Sequence, residues 1–424
     1  MDNGTANSIH DPEENVYRSV LDEVVRKGAQ KVLQKAVEAE VESFLEKYQY
    51  LMDEKGRRLV VRNGRHNERV IATGAGPLKV RCPRVDDRVL ETHDEPRFRS
   101  NLIPPYLRRT KNMDEFLPFL YLKGVSTKDF TEVLQKLLGK QLPGFSAQQI
   151  CRLKEFWRQE YEDWAKRDLS SERYIHWWVD GIHFNVRLEE DARQCILVVI
   201  ASKEDGSKEL LAIQDGFRES KESWTSLIRN LKHRGLKEAP ELAIGDGALG
   251  FWSALDEEFP DTKQQICWVH KTVNVLDKLP KSLQPKAKQM LNDIFLSPSR
   301  KEAKEALRYF VEEFKAKYPK AVQSLTDHSE NLLSFYDFPA EQWQSIRSTN
   351  VIESTFSMVR HRTRQTKGCG TRLATLTMVF KLAMSAQKRW QKMRGSRRIK
   401  DMLSGARFVD GLMLKESQKE GAIV

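Results

Sequence analysis

Ile175–Phe184 reads IHWWVDGIHF. β-Branched and aromatic residues dominate the stretch and neither Lys nor Arg interrupts it, which is the composition of a buried strand. Strand alternation puts Asp180 on the same side as Trp178, Ile182, Phe184 and, just beyond, Val186. That is the side that should meet a core, where an unpaired carboxylate is costly. The strand therefore demands either a buried Arg or His beside Asp180 or a bound cation.

The neighbouring segments extend the strand into a sheet. After RYIHWWVDGIHFNV come QCILVVIAS and KELLAIQDGF, separated by the turn-like RLEEDAR and KEDGS. SKESWTSLIRNLKHRGL follows as a helix, with Ser220 placed to cap its start and Gly235 to stop its end. ELAIGDGAL is a fourth strand, GFWSALDEEF a helix and KQQICWV a fifth strand. The order β-β-β-α-β-α-β predicts an α/β domain with a mixed sheet and helices packed on it.

The rest of the chain is mainly helical. Val20, Val24, Val25, Val32, Val37, Val41 and Leu45 recur near helical spacing between about residues 16 and 50, as one helix or a pair. From Gly56 to Val89 short strands are expected, with turns at Asn63-Gly64 and Gly74-Ala75-Gly76. Two helices joined by a Gly/Pro turn follow within 124–157, with Ser126 and the Ser146/Gln149 pair as caps. They form either a helix-turn-helix DNA reader or an ordinary α-hairpin. From Lys271 to about Phe338 the composition is helical and charged, without further strand signal.

At 424 residues the chain exceeds one ordinary core, and 40% hydrophobic residues leave ample material to bury. No apolar run reaches the roughly 18 residues of a membrane span. The polar start MDNGTANSIHDPEEN lacks the features of a signal peptide. Five scattered cysteines, Cys82, Cys151, Cys195, Cys267 and Cys369, argue against a disulfide framework. A soluble cytoplasmic protein is the expectation. The net charge of +11 and pI near 9.2 imply a polyanionic partner. That charge is concentrated: Arg347–Lys400 holds fourteen Lys or Arg against one acid, Glu353, a net +13.

Three acids stand out by context. Asp180 lies inside the first strand, Asp246 follows the fourth strand between Gly245 and Gly247, and Glu353 begins a helix in the basic segment. Carboxylates converging from separate elements make a hard-oxygen site for Mg²⁺ or Mn²⁺. Each also has a structural alternative: a buried ion pair for Asp180, an Asp-Gly turn for Asp246, and an Asn350-x-x-Glu353 capping box. On the helix around Glu353, Ile352, Phe356 and Val359 form an apolar stripe, while Glu353, Ser357, Arg360 and Arg364 share another face.

The element order, together with WVDGIHFNVR, LAIGDGALGFWSAL, QQICWVH and STNVIESTFSMVRHRTRQTKGCG, resembles the mutator-type transposases of bacterial insertion sequences, from the N-terminal helices to about Trp390. The resemblance implies an RNase H-like catalytic domain interrupted by an all-helical insertion, with a mainly helical N-terminal DNA-binding region. It implies a DDE triad at Asp180, Asp246 and Glu353, using two Mg²⁺ or Mn²⁺ ions to cut and join DNA. The 66 positions between the two Asp residues suit the fold, and the 107 from Asp246 to Glu353 leave room for the insertion. Cys267 and His270 match the family's Cys-x-x-His motif, which places them near the active site. Without a second such pair they offer half a zinc tetrahedron. His183 is also expected nearby.

The implied organisation is a tail over 1–14, a helical and small β module over 15–110, and a helical region over 111–170 that includes the candidate helix-turn-helix. The catalytic domain spans 171–270 and 346–400 around an insertion at 271–345, and 401–424 is a C-terminal tail. Expected partners are the terminal inverted repeats of an insertion sequence and target DNA, with no membrane. Arg347, Arg360, Arg362, Arg364, Lys367 and Arg372 are the expected DNA contacts. A homodimer would act in the synaptic complex, in the cytoplasm at the bacterial nucleoid.

Overall fold

A computed structural model describes residues 12–93, 95–122, 125, 133, 147–186, 193–216, 218–247, 250–365 and 371–414. The chain divides into two compact units, Met1–Leu153 and Lys154–Val424. The expected helix-turn-helix segment lies largely outside the described residues, as do the caps proposed at Ser126 and Ser146.

In the first unit the early valine pattern forms one helix, α1 (Pro12–Lys47), rather than a pair. Its first half leaves Val20, Leu21, Val24, Val25 and Val32 exposed, and burial begins at Val37 and Val41. Four short strands follow: β1 (Val61–Arg65), β2 (Arg69–Thr73), β3 (Gly76–Val80) and β4 (Pro83–Asp86). β2 and β3 form the hairpin expected at Gly74-Ala75-Gly76. Ile71 and Val80 from that hairpin pack with Val37 of α1 and Ile103. Asn63-Gly64 is not a turn. It lies inside β1 where the β1–β4 register shifts, and Gly64 supplies the left-handed φ of 71°. Helix α2 (Lys111–Leu122) follows, and α3 (Ala147–Ala165) runs across the division.

The second unit is built on a five-stranded mixed sheet. β5 (Tyr174–Asn185), β6 (Arg193–Lys203) and β7 (Lys208–Gly216) form an antiparallel meander. Helix α4 (Lys221–His233) leads to β8 (Leu242–Gly245), then α5 (Phe251–Glu258) leads to β9 (Lys263–Ile266). The strand order is β7-β6-β5-β8-β9, with β8 and β9 parallel to β5. Ser220 caps α4 by accepting from the Ser223 N–H. Gly235, at φ 100°, ends it with N–H bonds from Gly235 to Lys232 and from Leu236 to Leu231.

The two faces of the sheet have different partners. Trp177 and Val179 of β5 and Cys195, Leu197 and Val199 of β6 pack with Trp224, Leu227 and Ile228 of α4 and Phe251, Ala254 and Leu255 of α5. His176 and Trp178 face the other way, toward Phe338 and the Ser345 carbonyl. Asp180 follows their alternation. The expected fifth strand stops earlier than KQQICWV suggests: Ile266 is its last residue, and Cys267 caps α6 (Trp268–Leu276).

Between β9 and the basic segment, α6 is followed by α7 (Gln284–Leu296), α8 (Arg300–Phe314), α9 (Pro319–Thr326) and short helical turns to Ile346. Then α10 (Asn350–Gln365) carries Glu353 in its first turn, and α11 (Arg372–Gln387) is capped by Thr371. Ile352, Phe356 and Val359 are fully buried, so the apolar stripe is the packed face of α10. A C-terminal tail from 401 is not what the structure shows through 414. A short helix, Arg398–Leu403, and a hairpin of β10 (Phe408–Val409) with β11 (Leu412–Met413) continue the fold. Backbone bonds between Gly411 and both Tyr336 and Ala340 tie this hairpin down, and buried Phe408 packs it. No helix among the described residues is long and apolar enough to cross a membrane.

Candidate active site

The site lies where β8 and β9 end beside the longer β5, to which they run parallel. β5 pairs with β8 as far as Trp178↔Ile244, and β8 pairs with β9 as far as Gly245↔Ile266. One step past the second pair are Asp246 and Cys267, and two steps past the first are Asp180 and Asp246. The register thus sets Asp180, Asp246 and Cys267 in a row across the sheet's end. β5 outruns β8, which leaves Asp180 beside the point where β8 gives way to a loop.

Asp180 is 9% exposed, and one of its carboxylate oxygens accepts from the Gly181 N–H at 2.8 Å. Burial raises its carboxyl to about 7; nearby His270 and the Gly181 N–H oppose that rise, and Glu219 and Asp246 add to it. Asp246 Oδ1 is buried with no hydrogen-bond partner among the described residues. Its backbone is anchored, since Trp252 Nε1 donates to the Asp246 carbonyl at 2.7 Å. Buried Lys271 donates to the Ser324 carbonyl at 2.8 Å; burial lowers its ammonium and the charge of Asp246 opposes the shift.

His270 stands beside Glu353 and within the field of these acids. It sits on the first turn of α6, three residues after Cys267. Hydrogen bonding to Cys267 raises its imidazole to about 9 against the cost of burial, and the charges of Cys267, Asp246 and Asp180 reinforce the rise. His270 Nε2 lies 3.7 Å from Glu353 Oε1. Thr349 Oγ1 is 3.3 Å from Cys267 Sγ, 3.5 Å from His270 Nδ1 and 3.4 Å from Glu353 Oε1. The Thr349 N–H also donates to Cys267 Sγ. For the buried Cys267 thiol, the bonds from His270 and Thr349 outweigh the upward push of burial and leave it lowered. The Trp268 N–H donates to the Arg347 carbonyl at 2.9 Å, docking the segment before α10 onto the start of α6.

Strand register sets Asp180 beside Asp246, and His270, 3.7 Å from Glu353, feels the charge of both. His183 is placed differently. It stands opposite Cys195 in the β5–β6 ladder and is 65% exposed, with Nε2 3.1 Å from Glu219 Oε1. Among the basic residues, Arg347 stacks against Phe335 and Trp343, 4.3 and 5.0 Å from their ring centres. Arg372 forms a two-pronged ion pair with Asp215 at 2.7 and 2.9 Å and donates to the Arg193 carbonyl. Arg360 is exposed on α10; the side chains of Arg362 and Arg364, and all of Lys367, lie outside the described residues.

Sequence reasoning passed over Glu219 and Thr349. Thr349 stood inside the STNVIES motif. Glu219 was one acid in the charged run preceding α4, with nothing local to separate it from a solvated side chain.

The donor set suits a hard divalent cation. Asp180 inside β5 and Asp246 just past β8, the latter with a buried oxygen lacking a partner among the described residues, are what such an ion would complete. Cys267, His270 and Glu353 could also gather their ligand atoms within 4.8 Å of one another. Thr349 already spans that trio, however, and a fourth protein ligand is not found among the described residues.

The chain is similar to known transposases. The model for "Transposase, Mutator family" matches residues 4–393. The transposase for insertion sequence element IS6120 of Mycolicibacterium smegmatis is 48% identical over 303 residues, covering 72% of this chain and 93% of that protein. The transposase for IST2 of Acidithiobacillus ferrooxidans is 46% identical over 66% of this chain and 95% of its own length. The transposase for IS256 in transposon Tn4001 of Staphylococcus aureus is 28% identical over 81% of this chain and 85% of its own. An insertion-sequence transposase acts on DNA, and the match across nearly the whole length establishes that this chain belongs to the Mutator family of transposases.

Proposed function

We propose that the chain is a DDE transposase, with Asp180, Asp246 and Glu353 as its triad. The observation that carries this reading is the arrangement at the sheet's end, where register aligns Asp180 with Asp246, and His270, 3.7 Å from Glu353, feels the charge of both. The strand order, with three antiparallel strands followed by two parallel ones, supports an RNase H-like catalytic domain. On that reading the helices between β9 and α10 are the insertion.

The three carboxylates would hold Mg²⁺ or Mn²⁺, two ions in the active complex. Such a pair activates the attacking oxygen and stabilises the leaving oxygen of an in-line phosphoryl displacement. The chain's own residues set the frame. Trp178, whose Nε1 donates to the Ser345 carbonyl at 3.0 Å, and buried Ile182 fix the strand that carries Asp180. Thr349 orients Glu353, and protonated His270 offsets the mutual repulsion of the acids.

The DNA roles belong to the same proposal. The N-terminal region, 15–170, reads the terminal inverted repeats, and Arg360, Arg362, Arg364 and Lys367 grip phosphates in a salt-dependent way. Arg347 and Arg372, engaged inside the fold, hold the basic segment in place. A homodimer acts in the synaptic complex, at the nucleoid of the bacterial cytoplasm.

The test supplies Mg²⁺ and DNA carrying the cognate ends. The parent is expected to cleave and join strands, and Asp180→Asn, Asp246→Asn and Glu353→Gln to bind the ends but do neither. Variants that join strands as well as the parent would defeat the triad.

A further inference from the structure

Glu219 enters the site between two glycines. It immediately precedes the Ser220 cap of α4, and its side chain crosses to β5 at Gly181, the residue after Asp180. A Cβ on Gly181 would overlap Glu219 Oε1 and lie 2.6 Å from its Cδ. On the other side, a Cβ on Gly250 would lie 2.8 Å from the Glu219 carbonyl oxygen and 2.5 Å from the Lys221 nitrogen. The Gly250 N–H donates to that same carbonyl at 3.1 Å. Gly181 has no left-handed φ, so its backbone does not require glycine; a side chain there would have to displace the Glu219 carboxylate.

The glycines follow the two candidate aspartates, one residue after Asp180 and four after Asp246. Gly181 alternates with Asp180, so Glu219 meets β5 on the side of His183 and Cys195, its ligand atom lying within 4.8 Å of theirs, and its charge is felt by Asp180 across the strand. Its side-chain partner among the described residues is His183, which is mostly exposed. A bystander acid would gain by turning toward solvent instead of the strand bearing Asp180. Its placement makes sense if a cation is shared among the acids, because repulsion between carboxylates then becomes attraction to a common charge.

We propose that Glu219 is a fourth acidic residue of the divalent-cation site, a positioning carboxylate admitted by Gly181. This rests on the cation reading of Asp180 and Asp246 given above. The Glu219 carboxylate supplies negative charge beside the ions and restrains His183 at the open edge of the site.

The experiment measures Mn²⁺ binding to the full chain without DNA, by the loss of the free-ion EPR signal, alongside thermal unfolding. Glu219→Gln keeps the shape of the side chain and removes its charge. It is expected to weaken Mn²⁺ binding on the order of tenfold while leaving the unfolding midpoint in place. Gly181→Ala should weaken binding comparably by displacing the carboxylate, and should cost nothing further when combined with Glu219→Ala. Asp180→Asn reports on the underlying reading. Loss of Mn²⁺ in Asp180→Asn with parent-like binding in Glu219→Gln would overturn the role of Glu219 alone. Parent-like binding in Asp180→Asn would overturn the cation reading itself. Equal losses from Gly181→Ala in the parent and in the Glu219→Ala variant would show that the glycine serves the backbone, and would remove its part in the proposal.

Discussion

His270 Nε2 lies 3.7 Å from Glu353 Oε1, although the two residues start different helices and are separated by α7, α8 and α9. The same imidazole feels Asp180 and Asp246, and Cys267 and Thr349 hold it from behind. One histidine therefore stands beside the acid of the basic segment and within the field of the sheet's carboxylates.

Removing that imidazole should disturb chemistry more than DNA binding. His270→Gln is expected to slow Mg²⁺-dependent strand cleavage by on the order of 10- to 100-fold, the usual cost of losing a group that orients a metal site. Affinity for the cognate ends should stay at the parent level. A variant that cleaves at the parent rate would make His270 a spectator.

Thr349 is fully buried and its hydroxyl has three neighbours to serve. Thr349→Val preserves the shape and removes the hydroxyl. A loss of about 1–2 kcal/mol in unfolding free energy is expected, the cost of leaving buried groups short of a partner. Cleavage should fall as well, because Glu353 loses its orienting contact. Chemical denaturation and strand-cleavage rates measured together check both.

Stability should also depend on His176. Burial lowers its imidazole to about 3, with Gln342 opposing, and Ser202 Oγ sits 2.9 Å from Nδ1. Trp178 and Phe338 are the ring neighbours. The ordinary value is about 6.5, so between the two the unfolded chain binds more protons than the folded one. The contribution of neutral His176 is complete above about pH 6.5 and is lost as pH falls toward 3, at no more than about 1.4 kcal/mol per pH unit. His176→Gln should flatten the pH dependence of unfolding over this window. An identical slope in parent and variant would contradict the assignment.

The ion pair of Arg372 with Asp215 gives a contrast between structure and DNA grip. Arg372→Gln should cost about 1–3 kcal/mol of stability, and the loss should be largely non-additive with Asp215→Asn. The salt dependence of DNA binding should be unchanged. A shallower salt slope in Arg372→Gln would mean that the residue reaches phosphate after all.

Much of this protein could be read along the chain. The β5 strand, the Ser220 and Gly235 ends of α4 and the buried stripe of Ile352, Phe356 and Val359 are local patterns, and the structure reproduces them. They were legible because alternation, capping and helical spacing act between residues a few positions apart. The motifs around Asp180, Asp246, Cys267 and Glu353 pointed to the family for the same reason, being short and specific. Where local signals conflicted the reading failed: KQQICWV looks like strand to its end, yet Cys267 turns the chain into α6. Asn63-Gly64 has the composition of a turn but lies inside a strand, where the register shifts.

What only the tertiary structure decided is which distant groups share a space. That Asp180 and Asp246 fall side by side depends on a parallel register between strands 66 positions apart. That Arg372 spends its charge on Asp215, and that Glu219 lies against Gly181, depend on packing between elements no window of sequence contains. Periodicity reports the face on which a residue lies; the strand order and the interlocking of side chains determine what stands opposite it.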